Sequence, residues 1–308
     1  MLGLMAGVFL GWSLGANDAA NCFGTAVSSR MVAWRHAVWL AAAFILLGAV
    51  AQGQAGIATL QALTDQTATG AELAALAAAV TVTTMVRLRL PASASQAVVG
   101  ALLGSGLATG HIHAAPLGRV LACWIGTPLG AMLVAFVLYH VLRWPLSRFR
   151  PSLFVLDPIL HLGLILCGCY AAHALGANSV ANVASFLVVG GRLSPGAAVA
   201  VGGLAMAAGV LTFSRGVMLT VGRGITPLDA FTALVVVLAE GITVHLYALL
   251  GVPVSMSQAI VGAILGIGLA KGVHILNARN LVHVLVGWLL APAAAATLGA
   301  IFAVLAGA

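Results

Sequence analysis

Long apolar stretches separated by short polar connections follow one another along the whole chain. Each stretch approaches the roughly 20 residues that an α-helix needs to cross a bilayer. The pattern predicts ten such segments in two groups of five. They lie at about residues 2–28, 33–52, 69–86, 92–110 and 118–141, and at about 155–178, 194–214, 228–250, 254–270 and 281–306. The expected fold class is therefore an all-α, polytopic membrane protein.

The connection between the two groups, residues 143–158, is the most polar in the chain and contains three arginines and three prolines. It is predicted to be a cytoplasmic linker between a first transmembrane repeat, residues 1–142, and a second, residues 159–308. With this linker inside, eleven of the thirteen basic residues fall on the cytoplasmic side, and only Arg119 and Arg192 fall outside. The positive-inside rule then favours ten crossings of the cell (inner or plasma) membrane, with both termini outside.

Composition removes most other classes of protein. Hydrophobic residues make up 62% of the 308 residues and charged residues only 6%, whereas a soluble domain carries roughly 25% charged residues. A soluble enzyme, a disordered chain and a nucleic-acid-binding domain are thereby excluded. The net charge of +7 is typical of basic cytoplasmic loops and does not indicate a nucleic-acid partner. The four cysteines have no metal or disulfide spacing and are interpreted as packing residues, so no cofactor is expected.

The two halves of the chain resemble each other. Residues 14–21 match residues 175–182 at an offset of 161, and residues 91–101 match residues 253–263 at an offset of 162. A Trp-x-x-x-Pro pattern recurs at an offset of 164. Because five crossings per half is an odd number, the halves should insert in opposite directions. Inverted repeats with broken or re-entrant helices are typical of secondary transporters, whose site lies near the midplane between the repeats.

The first repeated motif places amides and a carboxylate inside apolar segments, where they are expensive unless they face a cavity, an ion or each other. Gly15 and Gly176 precede these polar residues and would permit an unwound backbone. Side-chain and backbone oxygens suit Na⁺ or a proton relay. The alternative is helix–helix packing through small residues and asparagine. The polar residues are Asn17, Asp18 and Asn21 in the first half, and Asn178, Ser179 and Asn182 in the second.

The second repeated motif is Pro-x-Ser-x-Ser-Gln. Proline is favoured in the first turn of a helix, so the motif predicts two helix N-termini with neutral donors around them. Such an end offers free N–H groups and a positive partial charge, which favour an anion. The alternative is ordinary N-capping by serine. The donors are Ser93, Ser95 and Gln96 in the first half, and Ser255, Ser257 and Gln258 in the second.

A further carboxylate, Glu240, lies in the middle of a predicted segment and has no acidic counterpart in the first half. A lone carboxylate at this depth could bind a cation or titrate. Thr81 and Thr243 align near it, although threonine hydroxyls often bond to their own helix. His173 and His245 also lie inside segments and could line a pathway.

These motifs carry a family resemblance. Residues 15–25 read GANDAANCFGT and residues 176–182 read GANSVAN, which resembles the duplicated GANDVANAFGT signature of the inorganic phosphate transporter (PiT) family. PASASQAVVGA and PVSMSQAIVGA resemble that family's P-V-S-T-T-H-x-x-V-G-A element. The likeness covers essentially the whole chain, and the same superfamily includes sulfate permeases.

The resemblance implies a cation-coupled symporter, often a homodimer, that imports inorganic phosphate with Na⁺ or H⁺. By that resemblance, Ser93, Ser95, Gln96, Ser255, Ser257 and Gln258 contact the oxyanion, and Asn17 and Asn178 help to orient it. The coupling cation is assigned to Asp18, Asn21, Ser179, Asn182 and Glu240, with Asp18, Asn21 and Asn182 as the ligands of a bound Na⁺.

Two departures from the family pattern affect these expectations. Ser179 stands where the family typically has a second aspartate, which removes one carboxylate ligand. Gln96 and Gln258 stand where the family has a histidine, and glutamine cannot be protonated. The sequence therefore leaves Na⁺ and H⁺, the cation stoichiometry, and phosphate and sulfate (or another tetrahedral oxyanion) open. An anion channel stays the alternative from another class, and an intramembrane enzyme is disfavoured because no nucleophile–base pair or metal spacing is present.

Overall fold

In the computed structural model, the described residues are 2–88, 93–191, 193–224, 228–272 and 278–307. Within them the chain is built of α-helices and forms no β-strand. The helices of the first half are α1 (Leu2–Ser28), α2 (Trp34–Gln52), α3 (Ile57–Gln61), α4 (Ala68–Arg87), α5 (Ala94–Thr109) and α6 (Ala114–Phe149). Those of the second half are α7 (Leu153–Val188), α8 (Pro195–Gly224), α9 (Ala230–Leu249), α10 (Met256–Lys271) and α11 (Ala278–Ala306), with a 3₁₀ turn at Val189–Gly191.

Each of the ten apolar segments predicted from the sequence coincides with a helix, and the all-α membrane fold is confirmed. In the described part of the chain, seven helices are long and apolar enough to cross a membrane: α2, α4, α6, α7, α8, α9 and α11. Helices α5 and α10 have 16 residues each. At 1.5 Å per residue they extend about 24 Å, which is less than the roughly 30 Å of a hydrocarbon core.

The segment predicted as a linker, residues 143–158, is mostly helical. Helix α6 continues to Phe149 and α7 begins at Leu153, so only residues 150–152 separate them. Arg150 ends α6 in the left-handed conformation, with φ = 44°. The polar composition marks the junction of two 36-residue helices, which a three-residue connection joins.

The first helix of each half packs tightly on the second helix of the other half. A Cβ atom built on Gly15 of α1 would overlap the backbone carbonyl oxygen of Met206 on α8. A Cβ built on Gly176 of α7 would overlap the backbone carbonyl oxygen of Ile45 on α2. Because Gly176 follows Gly15 by the same 161 residues that separate Met206 from Ile45, the two contacts are equivalent. Glycine is needed here so that two backbones can approach closely.

A second pair of glycines makes equivalent contacts between later helices of the two halves. Gly100 of α5 faces the backbone of Pro292 on α11, and Gly262 of α10 faces the backbone of Pro128 on α6. Neither position has room for a Cβ atom. Each half thus packs two of its helices on the other half, and the equivalent helices of the other half make the same contacts in return. The sequence repeat is therefore also a repeat of helix packing.

The expectation that Gly15 and Gly176 unwind the backbone is wrong. Helix α1 is continuous from Leu2 to Ser28, and α7 is continuous from Leu153 to Val188. Both glycines lie inside regular helix, and the space taken by the facing backbone explains their lack of a side chain. Oxygen ligands at this level of α1 and α7 must therefore come from side chains, because the main-chain carbonyls of a continuous helix are already bonded.

Asp229 is the N-cap of α9. Its carboxylate accepts a hydrogen bond from the Thr232 N–H (2.9 Å) and another from the Lys271 ammonium at the end of α10 (2.9 Å). Partial burial alone would raise the pKa of Asp229, but these hydrogen bonds and the Lys271 charge outweigh it and hold the pKa below its ordinary value. The ionised carboxylate is thus the form that stabilises the fold.

Replacing Asp229 with alanine should lower the free energy of unfolding by about 1 kcal/mol, the usual effect of losing an N-cap. Because the pKa of Asp229 is lower in the folded than in the unfolded protein, this stabilisation is present at neutral pH. It is lost as the pH falls through the folded-state pKa. Thermal unfolding in detergent at several pH values checks this: the variant and the wild type should converge at acid pH, and a constant difference would contradict the assignment.

Candidate functional site

The N-termini of α5 and α10 are each capped by the first serine of the repeated Ser-x-Ser-Gln motif. Ser93 Oγ accepts a hydrogen bond from the Gln96 N–H (3.4 Å), and Ser255 Oγ accepts one from the Gln258 N–H (3.3 Å). The capping alternative thus holds for these two serines. The expectation of proline in the first turn is wrong for Pro253, which lies two residues before the cap. Pro91 falls outside the described residues.

The two helix N-termini lie beside each other. Ser95, in the first turn of α5, donates a hydrogen bond from Oγ to the Val254 carbonyl oxygen (2.9 Å), one residue before the cap of α10. The side-chain amide of Asn178 on α7 bonds to both backbone groups of the same Val254. Its Nδ2 donates to the Val254 carbonyl oxygen (2.9 Å), and its Oδ1 accepts from the Val254 N–H (3.2 Å). Residues of the two repeated motifs therefore meet at one buried place.

The orientation of the Asn182 amide follows from its neighbours. The Ser95 hydroxyl proton is used on Val254, so Ser95 Oγ is left as an acceptor, and Asn182 Nδ2 donates to it (3.2 Å). The Asn182 Oδ1 atom consequently points away from Ser95. It is buried and has no hydrogen-bond partner in the described part of the chain. A buried acceptor without a donor is costly, and a cation or a protonated ligand would satisfy it.

The copy of the first repeated motif that lies on α1 supplies a carboxylate. Asp18 is buried, and its Oδ1 accepts a hydrogen bond from Asn17 Nδ2 (2.7 Å). Asn21, one turn further along α1, is buried as well. In α7, Asn178 Nδ2 donates a hydrogen bond to Ser179 Oγ (3.4 Å). Ser179 is the neutral residue that aligns with Asp18 in the sequence repeat.

Glu240 of α9 is fully buried, and neither of its carboxylate oxygens has a hydrogen-bond partner in the protein. It lies close enough to Asp18 for the two to repel each other when both are charged. A buried, ionised carboxylate needs a partner charge or strong donors. Glu240 is therefore either protonated or next to a bound cation.

Two glutamine side chains complete the set of buried acceptors. The Oε1 atoms of Gln96 and Gln258 have no hydrogen-bond partner among the described residues. Ser257 Oγ instead lies 2.9 Å from Ser255 Oγ, so these two hydroxyls bond to each other. Each helix N-terminus thus carries a glutamine with an unpaired oxygen atom in its first turns, and Asn182 adds another beside Ser95.

Some polar residues near the site are explained by local bonding. Thr81 and Thr243 each donate to a backbone carbonyl four residues earlier, Ala77 and Ala239 respectively, at 2.8 Å. They therefore fold back onto their own helices.

His245 of α9 belongs to a separate cluster. Its Nδ1 lies 2.9 Å from the Tyr170 hydroxyl, its Nε2 lies 2.6 Å from Gln52 Oε1, and the His173 ring packs edge-on against it at 5.4 Å. This cluster connects α2, α7 and α9. Both ring nitrogens of His245 are used within the protein.

Sequence reasoning missed two buried serines. Ser13 Oγ bonds to Thr83 Oγ1 (2.8 Å) and so joins α1 to α4. Ser185 is buried, and its hydroxyl has no hydrogen-bond partner in the protein. Helical spacing could have found both, because Ser13 precedes Asn17 by four residues and Ser185 follows Asn182 by three, which places each on the same helix face as its motif.

Comparison with known proteins identifies the family of the chain. The sequence profile described as "Phosphate transporter family" matches residues 14–160 and again residues 154–299. The two matches together cover nearly the whole chain and divide it where the repeat divides it. The chain belongs to the phosphate transporter family. It is a multi-pass membrane transporter and not an enzyme.

Relatives of this transporter span its full length. A protein of Methanocaldococcus jannaschii that carries the name of a phosphate permease is 27% identical over 298 residues, covering 97% of this chain and 95% of the relative. The sulfate permease of Bacillus subtilis is 28% identical over 295 residues, covering 94% of this chain and 83% of the relative. Relatives with two different named substrates are thus about equally similar.

One solved structure has the same fold. It is titled the sodium-dependent phosphate transporter, and it matches with a TM-score of 0.86 over 99% of this chain and 98% of that chain, at 21% sequence identity. At this identity the match establishes the fold of the transporter, and the chemistry must be argued from its own residues.

The clamp that Asn178 makes on Val254 gives a prediction. Replacing Asn178 with leucine, which has a similar shape, removes two hydrogen bonds and leaves the buried Val254 N–H without its acceptor. Each buried unsatisfied group costs about 1–3 kcal/mol, so we expect about 2–4 kcal/mol of lost stability together with loss of transport. Thermal unfolding and uptake measured on the same preparation check this. An unchanged unfolding temperature would contradict the clamp.

Proposed function

We propose that the transporter imports inorganic phosphate by symport with Na⁺ or H⁺ across the cell membrane. The observation that carries the proposal is the meeting of two helix N-termini, those of α5 and α10, which Ser95 and Asn178 join through Val254. We propose that the buried carboxylates Asp18 of α1 and Glu240 of α9 hold the cation beside this anion site. This pairing is what a cation-coupled anion carrier needs.

The anion would be held without a positively charged side chain. Helix N-termini carry about half a positive charge and direct N–H groups at a ligand. Hydroxyl and amide groups from both repeats add neutral donors, and no arginine or lysine lies within the four motifs. A site of this kind releases its anion more easily than an arginine clamp would. The proposed contacts are Ser93, Ser95, Gln96, Ser255, Ser257, Gln258, Asn17 and Asn178.

The cation would be held by side-chain oxygens. Asp18, Asn21 and Asn182 are the proposed Na⁺ ligands, since carboxylate and amide oxygens suit a hard cation. The unpaired Oδ1 of Asn182 supports this role. Ser179 contributes a hydroxyl in place of a second carboxylate. Glu240 supplies a second acidic group, which can carry a proton or stand beside a second cation.

Electrical work explains why coupling is required. Moving one charge against 100 mV costs about 2.3 kcal/mol, so a divalent anion that enters a negative cell interior faces about 4.6 kcal/mol. Two monovalent cations cancel this cost, and a third makes entry favourable. Two buried acidic groups, Asp18 and Glu240, are available to hold or balance these cations.

Alternating access is proposed to follow from the repeat. In this account the two halves are inverted in the membrane, α5 and α10 point into it from opposite sides, and the halves rock around the central site. The length of these two helices, about 24 Å, is short of the hydrocarbon core and supports broken helices that begin within the membrane. We further propose that both chain termini lie outside, as the distribution of arginine and lysine indicates, and that the transporter is a homodimer.

Hydrogen phosphate fits the site better than sulfate does. Phosphate carries at least one P–OH group at neutral pH, which can donate a hydrogen bond to an acceptor, whereas sulfate is fully deprotonated. We propose that a P–OH group donates a hydrogen bond to the buried Oε1 of Gln96 or of Gln258, which sulfate cannot do. The similarity to a sulfate permease and the neutral Ser179 keep sulfate as the second candidate.

The substrate is tested by uptake of labelled phosphate and labelled sulfate into proteoliposomes. We expect phosphate uptake that unlabelled phosphate competes away and that an equal concentration of sulfate leaves nearly unchanged. Empty liposomes and liposomes with the Asn178→Leu variant serve as controls. Sulfate uptake without phosphate uptake would overturn the proposed substrate and leave the second candidate.

A further inference from the structure

A groove on the membrane-facing surface lies apart from the central site. It has a volume of about 360 Å³ and runs between the beginning of α2 and the middle of α7. The residues that line it are Val32, Ala33, His36, Trp39, Leu40, His161 and Ile165. None of them belongs to the transport motifs.

The groove is apolar at one end and is lined by two histidines at the other. Leu40, Ile165 and the 67%-exposed indole of Trp39 line the part that lies deeper along α2. His36 and His161 line the other end, where α2 begins. A tryptophan at this level is typical of the boundary between headgroups and acyl chains.

Positive charge lies around the end of the groove that His36 and His161 line. Arg35 is exposed beside His36 in the first turn of α2. The Arg215 guanidinium lies 5.3 Å from the ring centre of Trp34, the first residue of that helix. The acidic residue on the two bordering helices is Asp157, which is exposed one turn before His161 on α7. The charge around this end is thus predominantly positive, on the side predicted to be cytoplasmic.

We propose that this groove binds an anionic phospholipid. The acyl chain lies along Trp39, Leu40 and Ile165, and the phosphate headgroup lies at Arg35, His36 and His161. Basic pockets between transmembrane helices on the cytoplasmic side bind anionic headgroups in this way. A second protein copy fits less well, because two basic ends of the same kind would repel each other across a two-fold interface.

Native mass spectrometry of the purified transporter, with phosphatidylglycerol or phosphatidylcholine added at equal concentration, tests the site. We expect one phosphatidylglycerol molecule to be retained preferentially. The double variant Arg35→Gln, His36→Gln should bind it about fivefold more weakly, since the charge of one arginine near the surface contributes a factor of this order. The single variant Arg35→Lys, with His36 unchanged, keeps the positive charge and should bind the lipid as the wild type does.

Arg87→Gln is the matched control. Arg87 is an exposed arginine at the end of α4, also predicted to face the cytoplasm, and α4 packs mainly on α1, α5 and α11. This variant should retain the lipid. Equal retention of phosphatidylcholine by the wild type, an equal loss in Arg87→Gln, or unchanged binding in the double variant would overturn the proposal. So would a dimer that dissociates only in the double variant, because the groove would then be a subunit interface.

Discussion

Replacing Asp18 with asparagine should abolish cation-dependent uptake while the protein still folds. The two side chains have the same shape, and an asparagine oxygen can still accept the hydrogen bond from Asn17. The variant loses the negative charge that faces the cation. Removing one partner of a buried charge pair costs about 3–5 kcal/mol, so the affinity for the cation should fall about 100-fold or more.

This prediction is measured as the concentration of Na⁺, or the pH gradient, that gives half-maximal phosphate uptake in proteoliposomes. Asp65→Asn is a suitable control, because Asp65 is an exposed carboxylate on the connection before α4, where it lies 3.3 Å from His113. The control should transport like the wild type. If Asp18→Asn keeps its cation dependence, Asp18 is not a cation ligand.

Replacing Gly176 with alanine should prevent stable folding. The added methyl group would overlap the backbone carbonyl of Ile45 on α2. Overpacking a well-filled core costs typically 1–3 kcal/mol and occasionally more. Here the obstructing atom belongs to the main chain, which cannot turn aside as a flexible side chain can, so we expect a value at the upper end or beyond. Gly15→Ala should behave in the same way at the equivalent contact with Met206.

Gly118→Ala is the control for this pair. Gly118 lies in α6, and a Cβ built on it meets nothing within 4 Å. Because alanine is the better helix former by up to about 1 kcal/mol, this variant should be as stable as the wild type or slightly more so. Size-exclusion profiles and thermal unfolding in detergent compare the three variants. Equal stability of Gly176→Ala and Gly118→Ala would show that the helices are not held at the distance described.

The helices could be predicted because their signal is local. Twenty-residue apolar stretches and the cap-forming serines of the second motif act through neighbours in the chain, and Ser93 and Ser255 begin their helices as capping residues do. The repeat added the expectation that distant motifs meet. Among the described residues, seven of the ten segments are long and apolar enough to span a membrane, whereas α5 and α10 have 16 residues each, slightly fewer than the segments predicted at 92–110 and 254–270.

The misjudged positions depend on residues far away in the sequence. Glycine serves both for unusual backbone angles and for close helix contact, and the choice for Gly15 is made by Met206, which the sequence alone does not place beside it. The clamp between Asn178 and Val254 is likewise a tertiary contact. The sequence predicts Asn178 as a contact of the anion, and the structure adds that its amide bonds to both backbone groups of Val254 at the helix N-terminus proposed for that anion.

The central claim is that anion movement is coupled to a cation gradient. Proteoliposomes loaded with labelled phosphate at the external concentration, with an inward Na⁺ gradient or an inward proton gradient imposed separately, test it most directly. Coupling predicts that one of these gradients drives internal phosphate above the external concentration and that Asp18→Asn removes this accumulation. Phosphate that only equilibrates, whatever cation gradient is imposed, would identify a channel and contradict symport.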